Sequence, residues 1–105
     1  MVLGILTPAD VSRRIAAHEA PLRALGVQRL ALFGSVLRGS AGPGSDVDLL
    51  VQFSPGTKSF DRFLAISELL ETILERRVDL VTTEVLSPFI GPKILAEAAD
   101  VLRAA

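Results

Sequence analysis

Apolar positions along this chain change their spacing several times, and each change marks an element. Val11, Ile15, Leu22 and Leu25 recur at helical spacing. They follow Thr7-Pro8-Ala9-Asp10, which reads as a Thr cap, Pro in the first turn and an acid three residues on. Gly26 is the expected stop. Gln28 to Phe33, "QRLALF", is a short β-compatible run, and Ser35 to Arg38 suits one helical turn. Ser40 to Ser45 holds two glycines and a proline and reads as a loop. Asp46 to Phe53, "DVDLLVQF", is the strongest strand, and Pro55-Gly56 is a turn. Ser59 caps a helix with Phe60, Phe63, Ile66, Leu70, Ile73 and Leu74 on its apolar face. Arg77 to Thr83, "RVDLVTT", is a third strand. Ser87-Pro88 opens an irregular or helical entry, and Pro92 to Leu102 reads as a last helix. The order α-β-α-β-α-β-α predicts an α+β, two-layer domain: a small sheet of about three strands flanked by helices.

Composition narrows the class. A chain of 105 residues is expected to form a single domain, 1–105, and half of its residues are hydrophobic, which suits a packed core. No apolar run approaches the ~20 residues of a membrane span, and no signal peptide is evident, so the expectation is a cytoplasmic protein without a membrane partner. Cysteine is absent, which excludes disulfides and thiolate metal sites. A net charge of −1 supplies no global basic field for nucleic acid, so no direct nucleic-acid partner is expected.

The candidate chemistry lies in "GSVLRGSAGPGSDVDLL", Gly34 to Leu50. Aspartate is a poor strand former, yet two of them open the strongest strand. Strand alternation puts Asp46 and Asp48 on one face with Cα atoms about 6.5–7 Å apart. Asp79 repeats the pattern inside "VDLV"; if its strand pairs with the Asp48 strand, it lies within a strand spacing of ~4.8 Å. Carboxylates so placed repel unless neutralised. Magnesium takes oxygen ligands, commonly a few carboxylates plus substrate phosphates, and two such ions ~3.5–4 Å apart serve phosphoryl and nucleotidyl displacement. Gly34 lets backbone approach a ligand, Ser35 could hold a terminal phosphate, and Arg38 offers a cationic fork to the same phosphates.

Each feature alone has a plainer reading. Gly-Ser after a strand serves as a turn and helix cap, Asp-x-Asp as an Asx-turn, and the acid in "VDLV" as a solvated edge residue. Their order and spacing together are what one metal–triphosphate site needs. His18 has no partner at metal spacing and reads as a surface or partly buried helix residue. Arg13-Arg14 and Arg76-Arg77 read as solvated pairs, Lys93 as a surface lysine before it reads as a contact to substrate or partner, and Phe89 as the phenylalanine to watch for an exposed contact.

Gly34-Ser35, ten intervening residues, then Asp46-Val47-Asp48 resembles the signature of the DNA polymerase β-like nucleotidyltransferase superfamily. Asp79 completes the pattern. "GVQRLALFGSVLRG", "SDVDLLVQF" and "RVDLVTTEVLSPFIGPKILAEA" are similar to the minimal nucleotidyltransferases, or MNT domains, which include antitoxins encoded beside a HEPN partner. The resemblance implies a mixed sheet flanked by helices, with ATP as substrate and two magnesium ions as cofactor. It implies that Asp46 and Asp48 bind both metals and that Asp79 binds the catalytic metal and helps deprotonate the acceptor. Gly34 and Ser35 would hold the β and γ phosphates. In the antitoxin branch AMP passes to a tyrosine hydroxyl of a HEPN-type toxin. Relatives often carry an arginine near Gly42 and an acid near Gly44, whereas this loop is "SAGPGS". Loss of a loop cation would weaken triphosphate binding or shift it to Arg38.

The expectation is thus a magnesium-dependent protein adenylyltransferase, the antitoxin of a HEPN/MNT pair, with a homo-oligomer also open. Larger relatives use a second domain to hold the acceptor, so here a partner protein or a second copy would bring it. The rivals are a non-catalytic antitoxin that covers its partner, a transferase acting on a small molecule such as an antibiotic, and a metal-binding domain without transfer activity.

Overall fold

The computed structural model describes residues 5–83 and 91–103. In chain order the elements are α1 (Pro8–Ala16), α2 (Glu19–Ala24), β1 (Val27–Phe33), α3 (Gly34–Arg38), β2 (Val47–Phe53), α4 (Phe60–Leu74), β3 (Val78–Thr82), α5 (Gly91–Glu97) and β4 (Ala99–Leu102). The sheet order is β3-β2-β1-β4. β1 is antiparallel to both β2 and β4, while β2 and β3 run parallel, with α4 in the crossover between them. The expected mixed sheet with flanking helices is what forms, with four strands rather than about three.

α1 starts as the sequence predicts. Asp10 N–H donates to Thr7 Oγ1 and Thr7 N–H donates to Asp10 Oδ2, both at 3.1 Å, and Pro8 takes the first turn. The helix does not run on to Gly26. It stops at Ala16 and restarts at Glu19. Pro21 explains the break: inside a continuous helix it would remove a hydrogen bond and clash with the preceding turn, whereas in the first turn of α2 its missing N–H is harmless. His18 sits at the junction with Nδ1 3.0 Å from the Arg14 carbonyl oxygen, so its part is local and structural. Val11, Ile15 and Leu22 are buried, so the apolar stripe survives the break.

The last element is the larger correction. The helix expected over Pro92 to Leu102 ends at Glu97, and Ala99–Leu102 forms β4 instead. Leu30 pairs with Leu102, Ala31 with Asp100 and Leu32 with Ala99. Without β4 the second edge of β1, whose Leu30, Ala31 and Leu32 are fully buried, would leave backbone groups unpaired. That demand overrides the helical spacing of Val101 and Leu102. Arg29 Nε holds the strand end through Asp100 Oδ1 at 2.6 Å. The Ser87-Pro88 entry and Phe89 lie outside the described residues.

The main core lies on one face of the sheet. Leu30, Leu32, Val47, Leu49, Val51, Val78 and Leu80 meet Val11, Ile15, Leu22, Ile66, Leu70 and Leu74 there. Burial of each large aliphatic side chain contributes about 1.5–3 kcal/mol. Alternation turns Asp48 and Asp79 to the other face. The core thus fixes the pleat that presents both acids. Among the described residues, no helix is long and apolar enough to cross a membrane.

Candidate active site

β1 ends at Phe33, and Gly34 begins α3 with φ +79°. Phe33 is the register partner of Asp48, so Gly34 passes directly over the Asp48 carboxylate. A Cβ at Gly34 would lie 2.1 Å from Asp48 Oδ2 and 2.8 Å from its Cγ. Only glycine satisfies both the left-handed backbone and this contact. α3 lasts five residues and closes at Gly39, φ +76°, with Ser40 N–H donating to the Ser35 carbonyl at 3.0 Å. The following loop folds on itself: Gly42 N–H donates to Ser45 Oγ at 2.8 Å, and Ser45 N–H to the Gly42 carbonyl at 3.2 Å. The chain then enters β2 one residue after Asp46.

Asp48 and Asp79 are direct register partners on the parallel strands β2 and β3. Asp48 is half-buried, while Asp46 and Asp79 are exposed. Burial pushes the Asp48 carboxyl above the usual aspartate range; the negative charges of Asp79 and then Asp46 push it further, and Arg38 partly offsets them. Asp46, Asp48, Asp79 and Arg38 therefore form one electrostatic group. Among the described residues, no three acids or histidines gather closely enough to hold a metal ion by themselves. The arrangement is an open set of hard oxygen donors, of the kind that shares a magnesium ion with substrate phosphates.

A cavity of about 290 Å³ opens beside Asp48, lined by Phe33, Gly34, Arg38, Asp48, Lys93, Ile94 and Glu97. Ser35 is half-buried in the first turn of α3 but does not line it. α5 supplies a wall that sequence reasoning missed. Glu97 Oε1 accepts from Gly34 N–H at 3.3 Å and from Arg38 Nη1 at 2.9 Å. Nothing local in the sequence signals that a residue 63 positions from Gly34 reaches its amide. Lys93, read as a surface lysine, borders the same cavity. A larger cavity of about 410 Å³ between the start of α4 and β3, lined by Phe60, Phe63 and Leu80 among others, has no acidic residue among the described residues that line it.

A glycine-started short helix beside paired aspartates on a mixed sheet is the arrangement expected from the Gly-Ser and Asp-x-Asp pattern. The chain belongs to the nucleotidyltransferase domain family, whose pattern matches residues 15–101. It is 37% identical over 100 residues to the protein adenylyltransferase MntA of Thermococcus cleftensis, across 94% of this chain and 100% of that one. Among solved structures it is similar to a chain assigned as a minimal nucleotidyltransferase, with a TM-score of 0.71 and 36% identity over 84% of this chain and 88% of that one. A toxin–antitoxin structure with AMP-PNP matches in fold, with a TM-score of 0.69 at 22% identity over 89% of this chain and 73% of that one. An MNT antitoxin in complex with a tri-AMPylated HEPN toxin from Shewanella oneidensis matches with a TM-score of 0.63 at 20% identity, over 90% and 73% of the two chains. The family expected from the Gly-Ser and Asp-x-Asp signature is the family found.

Proposed function

We propose that this chain transfers AMP from ATP to a side-chain hydroxyl of a partner protein, and that the partner is a HEPN-type toxin silenced by the modification. The observation that carries the reading is the Asp48–Asp79 register pair beneath the bare backbone of Gly34. The relative named protein adenylyltransferase supports the reaction, and the fold match to an MNT antitoxin with an AMPylated toxin supports the partner.

In this reading Asp46 and Asp48 hold magnesium, with Asp79 joining at the catalytic ion. Burial first, and then the negative charges of Asp79 and Asp46, raise Asp48, and a bound cation would offset both. When bound, magnesium neutralises phosphate charge. Gly34 N–H and Arg38 hold the β and γ phosphates, with Ser35 at the edge of that seat. The acceptor oxygen bonds to the α phosphorus, the bond to pyrophosphate breaks, and Asp79 takes the acceptor proton as general base. The rival, a binder that only covers its partner, has one observation in its favour: Glu97 already occupies the donors of Gly34 and Arg38.

The test is the intact mass of the neighbouring gene's product after incubation with the chain, ATP and magnesium. The native chain is expected to add one or more AMP units, and the Asp46→Asn/Asp48→Asn variant none. Neutralised toxicity in a stable complex with no mass gain would overturn the transferase reading in favour of the binder.

A further inference from the structure

α5 brings opposite charges to the cavity beside Asp48, one helical turn apart. Lys93 and Glu97 both line it, and Arg38 and Lys93 are its two cations among the described residues. Their situations differ. Glu97 Oε1 sits where a backbone amide and a guanidinium converge, Gly34 N–H at 3.3 Å and Arg38 Nη1 at 2.9 Å. That pair of donors is what a phosphate oxygen would also seek. Lys93 is exposed and makes no hydrogen bond or ion pair among the described residues. The loop Ser40 to Ser45 contributes no cation to the site.

We propose that α5 sets the affinity for the nucleotide's phosphate tail through these two residues, Glu97 holding the phosphate seat until an incoming phosphate displaces it and Lys93 then binding that phosphate. The inference rests on the nucleotidyltransferase reading of the site. Carboxylate and phosphate cannot both take the Gly34 amide and Arg38 without like charges meeting, so one must leave. Arg38 and Glu97 are 55% and 37% exposed, and an ion pair so open to water is weak enough to exchange readily. Lys93, on the same helix four residues earlier, is placed to receive charge at the mouth of the cavity. Glu97 therefore acts as a competitor and Lys93 as a substrate-binding group.

The experiment is calorimetric titration of the full chain with inorganic tripolyphosphate, for the native protein, Glu97→Gln, Lys93→Met and Lys93→Arg, each checked by thermal melting. Glu97→Gln is expected to tighten binding about two- to five-fold, and Lys93→Met to weaken it by a similar factor, as suits exposed charge pairs. Lys93→Arg should bind as the native chain does. Weaker binding by Glu97→Gln would make Glu97 a support for Gly34 and Arg38 and overturn the proposal. So would equal or absent binding across the set. If Glu97→Gln does not fold, the Lys93 pair still decides, since indifference to Lys93→Met is enough to reject it. AMP transfer to the partner is assayed in parallel. Opposed shifts without transfer would keep this inference and remove the transferase reading; transfer with unshifted binding would do the reverse.

Discussion

At the scale of single residues, Asp48 carries a conflict between stability and chemistry. Its carboxyl is raised above the ordinary range by burial first and then by Asp79 and Asp46. A raised acid favours the protonated form in the folded chain, so folding loses stability as pH climbs through the carboxylate range, and ionised Asp48 is a net burden at neutral pH. Asp48→Asn is therefore expected to melt at a higher temperature than the native chain at pH 7. The difference should shrink as pH falls toward the ordinary aspartate value. Magnesium should raise the melting temperature of the native chain and leave the variant almost unmoved, while AMP transfer by the variant is lost. Calorimetric scans across pH, with and without magnesium, check all of this. Most of the candidate site at this scale was legible. Gly34, Asp46, Asp48 and Asp79 stand out because small or acidic residues interrupt apolar runs where packing alone would not put them. Glu97 was not legible, because its meaning comes from a contact across 63 positions of chain.

At the scale of elements, local chemistry was readable and long-range pairing was not. Thr7, Pro8 and Asp10 announce the start of α1, and Ser59 caps α4 by accepting from Arg62 N–H at 3.1 Å. The break before Pro21 was also encoded locally, but the continuous apolar spacing of Val11, Ile15 and Leu22 masked it. β4 could not be read, since four residues take strand form only because β1 has an edge to fill. The α1 cap makes a pH prediction. Arg13 first, then Thr7, lower the Asp10 carboxyl from 3.8 to about 2. A lowered acid contributes stability that is whole above its ordinary value and fades as pH falls through the folded one. The first turn of α1 is thus expected to fray between about pH 4 and 2. Amide signals of Ala9 to Val11 in an NMR titration would show it, and an Asp10→Asn variant should lack the transition.

At the scale of the molecule, the sheet divides labour between its faces. Leu49 and Leu80 lock β2 and β3 against α4, and the alternation that buries them turns Asp48 and Asp79 to the opposite side. Core packing and site geometry are therefore one constraint. β1 and β2 have a strand on both sides, whereas β3, five residues long, has β2 on one side alone among the described residues. Asp79 rides on that outer strand. Edge strands open locally at lower free energy than central ones, so β3 amides should exchange with deuterium ahead of those in β1. Local opening of this strand would take one aspartate out of the site and lift Val78 and Leu80 from the core, while the β1–β2 pair kept its register. Heating should accordingly extinguish AMP transfer several degrees below the calorimetric midpoint, and prompt cooling should restore it. The enzyme would then switch off in warm conditions while its fold, and any surface that merely grips a partner, persisted.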